Sequence, residues 1–168
     1  TPNILIGECG HATRTVKDYI DCHPELSGIN VISIHEMTAD AIRTGKIKLN
    51  PEANPEKMTL HDPCNIVRMG TQGDNIRTIL RACMSGELIE MEPHGIENYC
   101  CGGGGGTVTV EDIYKFRMEI GGRKKVEQLQ AAKAAGAEIL VAPCANCTKQ
   151  LRELIDYHKL ELELVGLH

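Results

Sequence analysis

Five of the chain's eight cysteines fall into three groups: Cys64 alone, the adjacent pair Cys100-Cys101, and the pair Cys144 and Cys147. Written as spacing, they read C-x(35)-CC-x(42)-C-x-x-C. Two intervening residues turn a chain back on itself, so both thiolates of a C-x-x-C reach one metal ion or cluster. Cys144 follows Pro143 and is expected to open a helix, where unpaired backbone N–H groups favour a thiolate. A tetrahedral zinc takes four ligands, and adjacent cysteines diverge too far to share it readily. A cluster of several irons is wider and takes neighbouring thiolates on different irons. The pattern points first to an iron–sulfur cluster. A structural zinc site, or a redox dithiol that forms a vicinal disulfide, are the alternatives.

Five glycines, Gly102 to Gly106, follow the adjacent pair. Backbone without Cβ atoms passes close to a cluster and turns its N–H groups toward sulfur, which marks Gly102, Gly103 and Gly104 as cofactor-facing. A phosphate loop is the rival, but the run ends at Thr107 without completing G-x-G-x-x-G, and no Lys-Ser/Thr follows. Cys9 is a candidate sixth ligand or mixed-disulfide partner, against the alternative of a buried thiol. His61, three residues before Cys64, is placed to give a proton to a leaving thiolate. Asp62 reads as a turn or cap residue, His11 and His94 as surface histidines. Cys22 and Cys83 lie within helical patterns and read as small core residues.

These residues need a scaffold. Strand-like runs occur at 3–6, 30–34, 58–61, 87–91, 138–142 and 161–165, with helical patterns at about 11–22, 36–44, 74–85, 110–134 and 147–158. Such alternation predicts an α/β fold with a mainly parallel sheet. In an open parallel sheet the C-terminal strand ends share one edge, where binding crevices form. All three cysteine groups follow predicted strands, so they are expected to meet there. In the fourth helical pattern Ile113, Phe116 and Ile120 share a face that Val126 and Leu129 leave, with Gly121-Gly122 between, so a bend or break is expected. Residues 44–57, with two prolines, read as a connector between two lobes.

An internal repeat supports two lobes. "NILIGECGHATRTVKDYIDCH" (3–23) aligns without gaps to "EILVAPCANCTKQLRELIDYH" (138–158) with seven identities, Cys9 falling on Cys144. The second cysteine of the C-x-x-C is Ala12 in the first copy. The expected architecture is therefore two repeated parallel-sheet lobes, the first truncated and degenerate. Residues 1–50 would end the first repeat, and 51–168 would form the second, which carries the site. The start at Thr1, three residues before "ILI", reads as a piece of a longer protein.

At 168 residues the chain is long enough to bury a core without disulfide staples, and its strand–helix alternation argues for reduced thiols in the cytoplasm. A net charge of −5 and five aromatics, with no basic-aromatic face, exclude a nucleic acid partner. The basic run Arg123, Lys124, Lys125 reads as a solvated helix face. No apolar run approaches the roughly 20 residues that span a membrane.

The segments "HDPC" (61–64), "CCGGGGG" (100–106) and "APCANC" (142–147) resemble the cysteine-rich CCG domain of heterodisulfide reductase catalytic subunits. The last gap is longer than is usual in that family, which places the extra residues around 107–125. The resemblance implies a non-cubane [4Fe–4S] assembly held by Cys64, Cys100, Cys101, Cys144 and Cys147, with Cys100 and Cys101 at the reacting centre. It implies an oxidoreductase that cleaves a disulfide whose sulfur binds iron. "CGHA" (9–12), with only one full site in the chain, is similar to catalytic subunits of membrane-bound complexes linked to sulfite reduction. There the substrate is a disulfide or trisulfide on a small sulfur-carrier protein. Other relatives are iron–sulfur subunits of glycolate, lactate or glycerol-3-phosphate oxidation. The implied partners are ferredoxin-like and membrane quinone or haem subunits, which would attach this cytoplasmic chain to the membrane. With no ferredoxin-like cysteine run and no flavin or haem motif of its own, the chain is expected to turn over little alone.

Overall fold

The computed structural model describes residues 3–168. Every strand-like run in the sequence forms a strand, and every pairing is parallel, which makes this an α/β fold. Strands β1 (Ile4–Gly7) and β2 (Asn30–Ser33) form a two-stranded sheet, flanked by α1 (Gly10–Asp21) and α2 (Ile34–Arg43). The second sheet has the order β4-β3-β5-β6, with β3 Met58–Leu60, β4 Leu88–Ile89, β5 Ile139–Val141 and β6 Glu163–Val165.

The central strands β3 and β5 are buried along their whole length, as expected of a parallel sheet covered on both faces, Thr59 being the one polar residue among the six. Alternation then sorts their side chains. Met58, Leu60, Ile139 and Val141 pack on the Ile76 and Leu80 side of α3 (Gly73–Cys83). Leu140 points the other way, into a core with Leu129 and with Leu151 and Leu154 of α6 (Ala145–His158). Ile76, Ile79 and Leu80 recur at helical spacing, which is why α3 presents one apolar stripe.

Three sequence expectations need correction. The helical pattern at 110–134 is broken as expected near Gly121-Gly122, but its first half is short. α4 (Tyr114–Phe116) runs straight into a π-helical turn, Arg117–Gly121, and α5 (Arg123–Ala134) starts afresh. Around this turn Phe116 and Ile120 face solvent, and Arg117 and Met118 are buried instead. The basic run is not a solvated face: Arg123 and Lys124 are exposed, but Lys125 is wholly buried. Cys22 and Cys83 are not core residues. Cys22 caps the end of α1 and is exposed, and Cys83 ends α3 half-buried. A helix's last turn leaves its layer, so helical periodicity overstates burial there. No helix among the described residues is long and apolar enough to cross a membrane.

Candidate metal centre

Because β3, β4 and β5 are parallel and in register, Leu60 beside Val141, their exits open on one edge of the sheet. Cys64 leaves that edge at the first position of a π-helical turn, Cys64–Arg68, directly after Pro63. Cys100 and Cys101 arrive from the loop after β4, and Cys144 follows β5 by three residues. Cys144 is the N-cap of α6, as Pro143 suggested, and Cys147 lies in the helix's first turn, buried against the core.

The sulfurs of Cys101 and Cys147 are 3.3 Å apart. With a ring nitrogen of His61 they form a buried group of donor atoms all within 4.8 Å of one another. Pairing of the Cys101 sulfur with Cys100, and then with Cys147, holds Cys101 far below the usual thiol range. That same pairing with Cys101 raises both partners. Cys144 is lowered to about 6, first by the Cys147 thiol and then, against burial, by the N–H groups of Cys147 and Asn146 at the helix start. The field of Cys64 adds to the rise of the Cys100 thiol. Neighbouring Cys100 and Cys101 differ in setting: Cys101 is buried and Cys100 exposed.

The glycines do what their lack of Cβ allows. Gly102 has φ +89°, and its N–H points at the Cys100 sulfur at 3.4 Å. The Gly103 N–H points at the Cys101 sulfur at 3.4 Å, and a Cβ on Gly103 would lie 2.7 Å from the Cβ of Gln150. Gly104 faces open space and touches neither sulfur at hydrogen-bond distance. Cys9 stands apart from the buried donor group. It is exposed and caps α1, though the next residue, Gly10, packs on the backbone of Asn65 and Ile66 in the turn that Cys64 begins. His11 and His94 are exposed.

His61 is fully buried, and neither ring nitrogen meets a hydrogen-bond partner at normal distance. Burial lowers its pKa, with the Cys101 sulfur facing the ring and opposing that shift, so the imidazole is neutral at neutral pH. An orphaned buried nitrogen beside soft sulfur donors fits a metal or an iron–sulfur group. The residues able to hold one are Cys64, Cys100, Cys101, Cys144 and Cys147, with His61 at its border.

Several residues that shape the site are far from the cysteines in sequence. Asp62 is no simple turn residue. Both of its carboxylate oxygens accept from the Arg77 guanidinium at 2.9 Å, and Arg77 also binds Glu90. Burial raises the Asp62 carboxyl, but the Arg77 bonds and the Gly95 N–H outweigh it and lower the group. Gly95 N–H donates to Asp62 at 2.6 Å, and the Asn98 amide donates to the Asp62 carbonyl at 3.0 Å, so this pair fixes the loop that delivers Cys100. Arg117 is buried against Gln150 and Glu153 under the glycine loop. A signal for Lys125 was present: from Gly122 onward the helical wheel restarts, and Lys125 falls in line with Leu129 and Ala132. Nothing local in the sequence pairs Asp62 with Arg77.

A cleft of about 510 Å3 adjoins the centre. It is lined by Glu8 and His35 from the first sheet's region and by Cys144, Lys149, Arg152 and His168 from the second.

Residues 58–152 match the family described as Cysteine-rich domain, CCG. The Hdr-like menaquinol oxidoreductase iron-sulfur subunit of Archaeoglobus profundus is 29% identical over 97% of this chain and 35% of its own length. A fumarate reductase (CoM/CoB) subunit of Methanothermobacter marburgensis is 31% identical over 90% of this chain and 28% of its own. A dihydromethanophenazine:CoB–CoM heterodisulfide reductase subunit of Methanosarcina mazei is 29% identical over 79% of this chain and 31% of its own. The chain thus spans about a third of the length of these relatives, and the match on residues 58–152 contains all five grouped cysteines, so the chain belongs to the CCG cysteine-rich domain family.

Proposed function

We propose that this chain is the iron–sulfur module of a heterodisulfide reductase-like oxidoreductase, in which Cys64, Cys100, Cys101, Cys144 and Cys147 hold a non-cubane [4Fe–4S] centre that cleaves a disulfide or trisulfide. The observation that carries the reading is the convergence of three sequence-distant cysteine groups on one sheet edge, with Cys101 and Cys147 3.3 Å apart around a buried, orphaned His61. The iron–sulfur names of relatives aligned over nearly the whole chain support it.

Such a group, when bound, supplies electrons one at a time to a substrate sulfur. The protein's own residues divide the remaining work. Cys101 and Cys147 anchor the buried side, and Cys100 faces solvent, where a substrate sulfur arrives. The Gly102 and Gly103 N–H groups spread the negative charge of the Cys100 and Cys101 sulfurs. His61, held neutral by burial, offers one N–H to a sulfur that gains charge; this is its proton-side role. The cleft beside Cys144 admits the substrate, and Cys9, exposed at the N-cap of α1 and next in sequence to the cleft-lining Glu8, is the candidate sixth thiol. Electrons come from partner subunits: ferredoxin-like proteins, and a membrane quinone or haem subunit that also attaches the module to the membrane.

We assign residues 1–50 to the end of a first, degenerate repeat and 51–168 to the second. In support, a parallel strand, a capping cysteine and a helix recur in both: β1, Cys9, α1 and β5, Cys144, α6. In each, a threonine hydroxyl donates to the capping cysteine's carbonyl, Thr13 to Cys9 at 2.8 Å and Thr148 to Cys144 at 3.0 Å.

One observation favours a second reading. His61, Cys101 and Cys147 are three clustered donors, and Cys144, paired with the Cys147 thiol, would be the fourth that a structural zinc needs. Iron and acid-labile sulfide analysis of protein prepared without oxygen separates the two. About four irons with matching sulfide is the expected result for a [4Fe–4S] group. Stoichiometric zinc with no iron after anaerobic reconstitution would replace the redox reading by an interaction module.

A further inference from the structure

Lys125 is a wholly buried lysine with no carboxylate partner. Its Nζ donates to Asn98 Oδ1 at 2.7 Å, to Gln128 Oε1 at 2.5 Å and lies 3.6 Å from Met91 Sδ. All three acceptors are neutral. Burying an ammonium without a counter-charge costs several kcal/mol, so a fold that keeps one there has a negative charge for it to face. Asp62 is the nearest candidate among carboxylates, but Arg77 already holds both of its oxygens. Apart from Asp62, the groups whose field reaches Lys125 are sulfurs: Cys101 foremost, then Cys147 and Cys100.

The lysine is also tied to the loop that brings those sulfurs in. Asn98 lies two residues before Cys100, and its amide donates to the Asp62 carbonyl. Gln128 donates to the Pro93 carbonyl at 2.6 Å, at the other end of the same loop. With three acceptors around it, the ammonium has no freedom to turn elsewhere. It is a fixed, buried charge tied to both ends of the loop that delivers Cys100 and Cys101.

We propose that Lys125 is the resident counter-cation of the sulfur centre: its buried ammonium offsets the charge of the thiolate-held group and raises that group's reduction potential. The inference rests on the iron–sulfur reading above. Reduction adds one electron to a site already surrounded by thiolates. A cation beside it, in a medium that screens poorly, stabilises the reduced form more than the oxidised one. Lys125 acts through this field and through the 93–100 loop, so it is a positioning residue.

The test is a redox titration of the full chain prepared without oxygen, following the spectroscopic signal that Cys101→Ser removes. Lys125→Met should load iron and shift the midpoint potential downward. Lys125→Arg, which keeps the charge, should stay close to wild type. Gln128→Glu is the second probe. It leaves the lysine in place but pairs its charge with a new carboxylate, and should shift the potential in the same direction as Lys125→Met. If Lys125→Met and Gln128→Glu both keep the wild-type potential, the inference is overturned. It is overturned equally if Lys125→Met fails to load while Gln128→Glu loads at unchanged potential, or if Lys125→Arg fails along with both. Loss of iron in Lys125→Met and Gln128→Glu with normal loading of Lys125→Arg supports it, because of the three only Lys125→Arg keeps a cation that no carboxylate offsets. A wild-type chain that binds no iron would refute the functional reading itself, an outcome visible before any variant is compared.

Discussion

Cys100 and Cys101 are chain neighbours with opposite surroundings, and that difference divides the consequences of replacing them. Cys101 pairs with both Cys100 and Cys147 in the buried group, so Cys101→Ser is expected to lose the iron and, in the assembled complex, disulfide cleavage. Cys22 is exposed at the far end of α1 from Cys9, so Cys22→Ser should keep iron content and spectrum unchanged. Parallel iron and sulfide analysis of the two variants checks this, and cleavage that persists in an iron-free Cys101→Ser complex would make the site structural. Arg77 is a second decisive residue. Arg77→Met leaves the fully buried Asp62 carboxylate without its partner, which costs about 3–5 kcal/mol. The Gly95 and Asn98 tethers of the 93–100 loop both end on Asp62, so an Asp62 displaced by the loss of Arg77 should lower iron loading along with the denaturation midpoint. The cysteines were legible because their spacing has few chemical meanings. The Asp62–Arg77 pair was not: 15 residues separate them, and only folding brings a turn-like aspartate under α3. Lys125 was masked by its basic neighbours, since a run of three cations looks alike whether one turns inward or not.

At the scale of elements, the glycine loop and the helix starts set the geometry. Gly103→Ala would press its Cβ onto Gln150 and Val108 side chains, at 2.7 and 2.5 Å, and push the N–H away from the Cys101 sulfur. The expected cost is about 1–3 kcal/mol, with weaker iron retention. Gly104→Ala meets nothing within 4 Å and should be close to neutral, and comparing the two denaturation curves separates close approach from mere flexibility. α6 ends at Lys159 in the left-handed region, φ 54°, where glycine is favoured. Lys159→Gly should stabilise by about 1 kcal/mol, read as a higher melting temperature, with the iron site untouched. The strands and most helices were legible from periodicity to within two or three residues, α6 and its capping Cys144 included. The two π-helical turns were not. They leave no compositional mark, and around the second of them Phe116 and Ile120 face solvent.

For the molecule as a whole, the two sheets meet along the cleft that His35 and His168 line, with ring centroids 5.1 Å apart. Burial, with His168 beside it, lowers His35 from 6.5 to about 4, and neither His35 ring nitrogen has a partner. Between those values the unfolded chain binds a proton that the folded chain does not. Stability is therefore undiminished above pH 6.5 and falls as pH drops toward 4, by on the order of 2 kcal/mol. Denaturant unfolding of metal-free protein at pH 7 and pH 5 should show this loss, and His35→Leu should remove most of it, with Glu8 and His168 left in place. Parallel topology and the shared cysteine edge could be read in advance because strand–helix alternation allows little else. How the β1–β2 sheet lies against the larger one could not, since it depends on packing around His35 and Gly10 that no local pattern records. The short distance between Cys101 and Cys147 has a practical side. Two thiols at 3.3 Å that meet dissolved oxygen give up two electrons and two protons and close into a bond, leaving a molecule about 2 Da lighter whose ligands are locked together. The colour of a preparation would then record how long it had stood in air, and a mild reductant given before iron would restore what storage had sealed.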